Sequence, residues 1–93
     1  MLTTTECQKG DYMYKNRANG RNNIVGINIK RLRENLPQKA SQRALADIMQ
    51  LTGIDIDKNA IQRIESGERF VTDIELRSFS KIFEVSCEEL LKE

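Results

Sequence analysis

Lys58, Asn59, Gln62 and Arg63 bring two cations and two carboxamides together within six positions of the chain. Carboxamide and guanidinium groups make paired hydrogen bonds with adenine and guanine edges, and Lys and Arg neutralise phosphates. Such residues are also ordinary on any solvated helix face, so the four alone do not decide a function. Other chemistries are poorly supplied. The chain has no histidine, and its two cysteines, Cys7 and Cys87, stand far apart in sequence. That removes His-based acid–base catalysis, Cys/His nucleophile pairs and nearly every zinc-ligand pattern. Gly-rich phosphate loops, Walker motifs and metalloprotease signatures are missing from the sequence. We therefore expect no catalytic residue, no metal site and no cofactor, and two reduced thiols.

The element that must carry the four residues is a short helix over about 57–66. Asp57 is its expected cap, Ala60, Ile61 and Ile64 recur at helical spacing, and Gly67 ends it. Four further helices are predicted around it. The first starts after Asn23 and follows Ile24, Ile27, Ile29, Leu32 and Leu36, stopping near Asn35 because Pro37 disfavours helical geometry at Leu36. The second is capped by Ser41, buries Leu45, Ala46, Ile48 and Met49, and ends before Thr52-Gly53. The fourth opens on a capping box, Thr72 with Glu75, and buries Leu76, Phe79, Ile82 and Phe83. In the fifth, Ser86 and Glu89 repeat the box, and Leu90 and Leu91 pack back on the bundle. No strand pattern competes, so the expected fold is all-α.

With 93 residues, the chain has room for one domain and one modest core. Charged residues make up 31% and mean hydropathy is −0.56, as in soluble globular chains. No apolar run approaches a membrane span and no secretory signal is read, which places the expected protein in the cytoplasm. The net charge of +1 conceals an asymmetry. Residues 1–43 carry nine Lys and Arg against three acidic residues, and residues 44–93 carry six against eleven. Residues 1–23, rich in Thr, Asn, Arg and Gly, lack helical periodicity and are expected to form a flexible or arm-like extension. Lys15, Arg17 and Arg21 would let it follow phosphates or a minor groove. The domain proper is then 24–93.

The order of several blocks adds a resemblance. Gly26-Ile27-Asn28-Ile29-Lys30-Arg31-Leu32-Arg33, Ser41-Gln42-Arg43-Ala44-Leu45-Ala46 and Ile61-Gln62-Arg63-Ile64-Glu65-Ser66-Gly67-Glu68-Arg69 follow one another, and residues 76–83 and 85–90 supply the closing helices. Residues 27–92 thus resemble the helix-turn-helix family of the lambda-type phage repressors and Cro, also called the Xre family. The resemblance implies a compact five-helix lambda repressor-like domain. It places Lys58, Asn59 and Arg63 on base-reading positions, with Gln62 beside them. It puts Gln42 on a phosphate at the start of the second helix and Arg69 in a loop that grips phosphates, with Arg43, Lys39 and Lys30 adding charge nearby. Arg33 and Glu65 match a partly buried ion pair between the first and third helices. The link between the second and third helices departs from the family by being several residues longer. Gly53-Ile54-Asp55-Ile56 looks inserted, with Ile54 and Ile56 expected on the core and Asp55 and Asp57 adding negative charge.

These readings converge on a sequence-specific double-stranded DNA-binding regulator, a repressor, acting as a homodimer on an operator and associated with the nucleoid. The alternative is a protein-interaction module on the same scaffold, an adaptor or an antitoxin, which the sequence pI of 7.8 and the insert favour.

Overall fold

A computed structural model describes residues 17–93 and has five helices: α1 (Val25–Glu34), α2 (Gln42–Leu51), α3 (Lys58–Ser66), α4 (Asp73–Phe83) and α5 (Cys87–Leu90). No strand occurs among the described residues, and no helix there is long and apolar enough to cross a membrane. Cys7, Lys15 and the rest of residues 1–16 lie outside the described residues.

Side-chain caps set most of the boundaries. Ser41 Oγ accepts from Ala44 N at 3.0 Å and Asp57 Oδ1 from Ala60 N at 2.8 Å, each satisfying an amide that the first helical turn leaves unpaired. At α4 the box is complete, with Thr72 Oγ1 accepting from Glu75 N and Glu75 Oε1 from Thr72 N. At α5 Ser86 Oγ accepts from Glu89 N at 3.0 Å, but the reciprocal half of the expected box is not formed, and the helix is a single turn. α1 begins at Val25; Asn23 nonetheless caps it through Oδ1, which accepts from Gly26 N at 2.8 Å. α3 stops at Gly67, whose φ of 89° is open to glycine at little cost.

The core is built from Ile29, Leu45, Met49, Ile56, Ile61, Ile64, Phe79 and Leu90, all fully buried. α3 lies in its middle, packed on both α1 and α2. Ile56 is part of this core and Ile54 packs beside it, so the long α2–α3 link is anchored. Gln50 Nε2 ties it further by donating to the Ile56 carbonyl at 2.9 Å.

Three expected core residues face outward instead. Ile27 is 58% exposed because α1 turns Val25, Ile29 and Leu32 inward, and a residue two positions from both Val25 and Ile29 must then point away. Its place inside is taken by Asn28, which is buried and donates through Nδ2 to the carbonyls of Leu90 at 2.8 Å and Lys92 at 2.7 Å. Ile48, on the flank of the Leu45–Met49 stripe, and Leu91, beyond the single turn of α5, are likewise exposed.

Candidate functional site

The inner side of α3 is fixed by a buried polar cluster. Arg33 on α1 meets Glu65 in a two-point ion pair, Nε to Oε2 at 2.7 Å and Nη2 to Oε1 at 3.0 Å, with side chains 11% and 4% exposed. Its remaining nitrogen, Nη1, donates to the Ala40 carbonyl at 2.8 Å. Hydrogen bonding to Glu65 holds the Arg33 guanidinium even more firmly protonated than usual, against the opposing effect of burial. Gln42 Nε2 donates to the same Glu65 carboxylate at 2.9 Å, so α1, α2 and α3 are joined at one charged group.

With Ile61, Ile64 and Glu65 turned inward, Lys58, Asn59, Gln62 and Arg63 all lie on the exposed side of α3. Lys58 and Gln62, like Asn59 and Arg63, are four positions apart, so the four make one continuous polar face. A cleft of about 370 Å³ opens at the N-terminal end of this face, between α2 and α3. Lys58, Asn59 and Asp57 line it from α3 and its cap, and Arg43, Asp47 and Gln50 line it from α2. The structure thus brings Arg43 to the α3 face. Asp47 and Gln50 were not singled out from sequence, where an acidic residue and an amide on the outside of α2 carry no distinguishing pattern.

Two expected phosphate ligands are engaged elsewhere. The Arg69 guanidinium is paired at two points with Glu75, Nη1 to Oε1 and Nη2 to Oε2, both at 2.9 Å, and Nη1 also donates to the Phe70 carbonyl. It ties the loop after α3 to α4, and Glu75 in turn completes the α4 capping box. Burial alone would raise the Glu75 carboxyl, but hydrogen bonds from Arg69 and Thr72 outweigh it and hold the group below the usual carboxylate range. Gln42 likewise gives one of the two hydrogens on its Nε2 to Glu65. We therefore read both residues as scaffold, because a buried carboxylate would lose its cation if Arg69 swung away and one hydrogen bond if Gln42 did.

The arm expected over residues 1–23 is also revised where it is described. Arg21, Asn22 and Asn23 pack against the C-terminal end of α3, and Arg21 Nη2 donates to the Glu65 carbonyl at 2.9 Å. Arg17 is exposed.

Comparison of the chain with family models, curated proteins and solved structures finds no match.

Proposed function

We propose that the chain is a sequence-specific double-stranded DNA-binding regulator, built on a helix-turn-helix scaffold of the lambda repressor and Cro type, with α3 lying in the major groove. The observation that carries this reading is the exposed face of α3. Its four side chains can all hydrogen-bond to base edges, and its opposite side is immobilised by the buried Arg33–Glu65 pair. Asn59 suits adenine, Arg63 and Lys58 suit guanine, and Gln62 reaches either a neighbouring base or the backbone. Arg43, across the cleft from Lys58, supplies a cation for the flanking phosphates. One domain of this size buries little surface on DNA, so the reading includes two copies related by two-fold symmetry on paired half-sites.

Selection from a random double-stranded library at about 150 mM salt tests it. The expected result is an enriched two-fold-symmetric motif with half-sites about one helical turn apart. A library that stays unenriched, with only weak and sequence-blind binding at lower salt, would end the proposal.

A protein-interaction module is the second reading, favoured by Asp47 and Asp57, which line the same cleft as Lys58 and Arg43 and would repel phosphates. Replacing Lys58, Asn59 and Arg63 by alanine separates the two. A DNA reader loses roughly 1–3 kcal/mol per base contact and relaxes its specificity, and a protein-binding module without DNA readout has no such preference to lose.

A further inference from the structure

The segment ahead of α1 closes on the far end of α3. Ala18 and Arg21 exchange both backbone hydrogen bonds, at 2.8 and 2.9 Å, around Asn19-Gly20, whose φ angles of 55° and 78° define a tight reversal favoured by that dipeptide. The turn delivers three consecutive side chains to the end of α3. Arg21 lies across Gly67, with its guanidinium carbon 2.8 Å from where a Cβ would stand, and Nη2 reaches the carbonyls of Ile64 and Glu65. Asn22 donates from its backbone to Gly67 O at 2.8 Å and from its side chain to Glu68 O at 2.9 Å. Asn23 Nδ2 donates to Ile64 O at 3.0 Å and Arg69 O at 2.7 Å while its Oδ1 caps α1. The α3 carbonyls concerned belong to its last turn, where that of Ile64 also accepts from the capping Gly67 N at 3.1 Å.

We infer that Arg21 and Asn23 are positioning residues for the base-facing side of α3, an inference that rests on the DNA-binding reading. Residues 52–57, joining α2 to α3, are too long a link to set the helix angle as a tight turn does. Through Ile56 they anchor only the N-terminal end of α3. α3 has nine residues and is roughly 13 Å long, so a swing of about 10° around that anchor displaces the other end by about 2 Å. Arg63, about 8 Å along the helix, moves by roughly 1.3 Å in the same swing, enough to take a bidentate hydrogen bond out of range. The clasp joins Arg33–Glu65 in preventing it, and residues 21–23 are thereby part of the binding unit.

The test uses the whole chain with Asn23→Ala, which removes three hydrogen bonds and no charge. Residual dipolar couplings of the α3 amides are fitted to the alignment shared by α1, α2 and α4. Affinity is compared between the duplex enriched by the wild-type chain and a scrambled duplex of equal length. We expect the α3 couplings to depart from the common alignment and the preference for the enriched duplex to fall about tenfold, the value of one bidentate base contact, at unchanged salt slope. Couplings that still fit overturn the inference, and so does a reoriented α3 with undiminished preference. Should Asn23→Ala not fold, Arg21→Gln takes its place in both measurements. If the wild-type chain enriches no duplex, the DNA-binding reading fails, and the couplings alone then decide whether the clasp orients α3.

Discussion

Gly26 on α1 lies directly against the carbonyl oxygen of Ile64 on α3, with no room for a methyl group between them. Alanine normally gains about 1 kcal/mol over glycine inside a helix. Here that gain is outweighed, because the new Cβ would meet backbone oxygen as well as the Arg21 and Asn23 side chains. Gly26→Ala should therefore destabilise the fold by a net ~1–3 kcal/mol, read from the midpoint of urea unfolding. A variant at least as stable as wild type would show that α1 and α3 can part without cost.

Glu65 gathers Arg33 and Gln42, and neither has another carboxylate to turn to within this cluster. Glu65→Ala leaves a guanidinium buried without its partner, for which the expected loss is about 3–5 kcal/mol. Thermal unfolding should register it as a large drop in Tm. A change below about 0.5 kcal/mol would mean that the pair behaves as a solvent-exposed one.

How far the sequence could be read depends on the range of the interactions concerned. Ser41, Asp57 and Thr72 announce their helices because a cap bonds an amide only three residues on, and Gly67 marks the end of α3 for an equally local reason. The inversion of Ile27 and Asn28 was illegible, since the carbonyls that make burial of Asn28 tolerable belong to Leu90 and Lys92 at the other end of the chain. Arg69 presents a different obstacle: its residue type suits a phosphate as well as Glu75, and only the fold brings Glu75 within 2.9 Å. Residues 21–23 read as the end of a flexible or arm-like extension by composition, and their partners on and after α3 stand more than 40 positions away.

Acid should weaken the fold through Glu75. Its folded carboxyl is held below its ordinary value, so the unfolded chain takes up the proton more readily and stability falls with pH. The contribution is whole above the usual carboxylate range, about pH 5 and up, and disappears as pH drops through the depressed value. Urea unfolding of wild type and Glu75→Gln from neutral to acidic pH should give curves that converge in acid, with the variant less stable at neutrality. Parallel curves would exclude Glu75 as a source of the pH dependence.

Glu84 ends α4 in a left-handed conformation, φ 56° and ψ 42°, without being glycine. A side chain there costs roughly 1–2 kcal/mol against its neighbouring carbonyl, part of which glycine gives back as extra freedom of the unfolded chain. Glu84→Gly should accordingly stabilise the protein by about 0.5–1 kcal/mol, measured as a raised urea midpoint at constant slope. A lowered midpoint would mean that the Glu84 side chain makes a contribution larger than the strain.

Arg43 and Arg69 offer a direct contrast, because both are cations near α3 and only one has its charge committed within the fold. Arg69 is locked to Glu75, and that pairing raises its affinity for its proton; Arg43 is exposed and lines the cleft beside Lys58 and Asn59. If α3 enters a major groove, Arg43→Ala should remove one phosphate contact and lower the slope of log affinity against log salt by about 0.9. Arg69→Ala should leave that slope unchanged while reducing stability, since it strips Glu75 of its partner and loosens the cap of α4. Measuring affinity for the selected duplex across a salt series, alongside urea unfolding of each variant, distinguishes the roles. The reverse pattern, with Arg69→Ala changing the slope and Arg43→Ala leaving it intact, would require the Arg69–Glu75 pair to open on binding and would move the phosphate contact to the loop after α3.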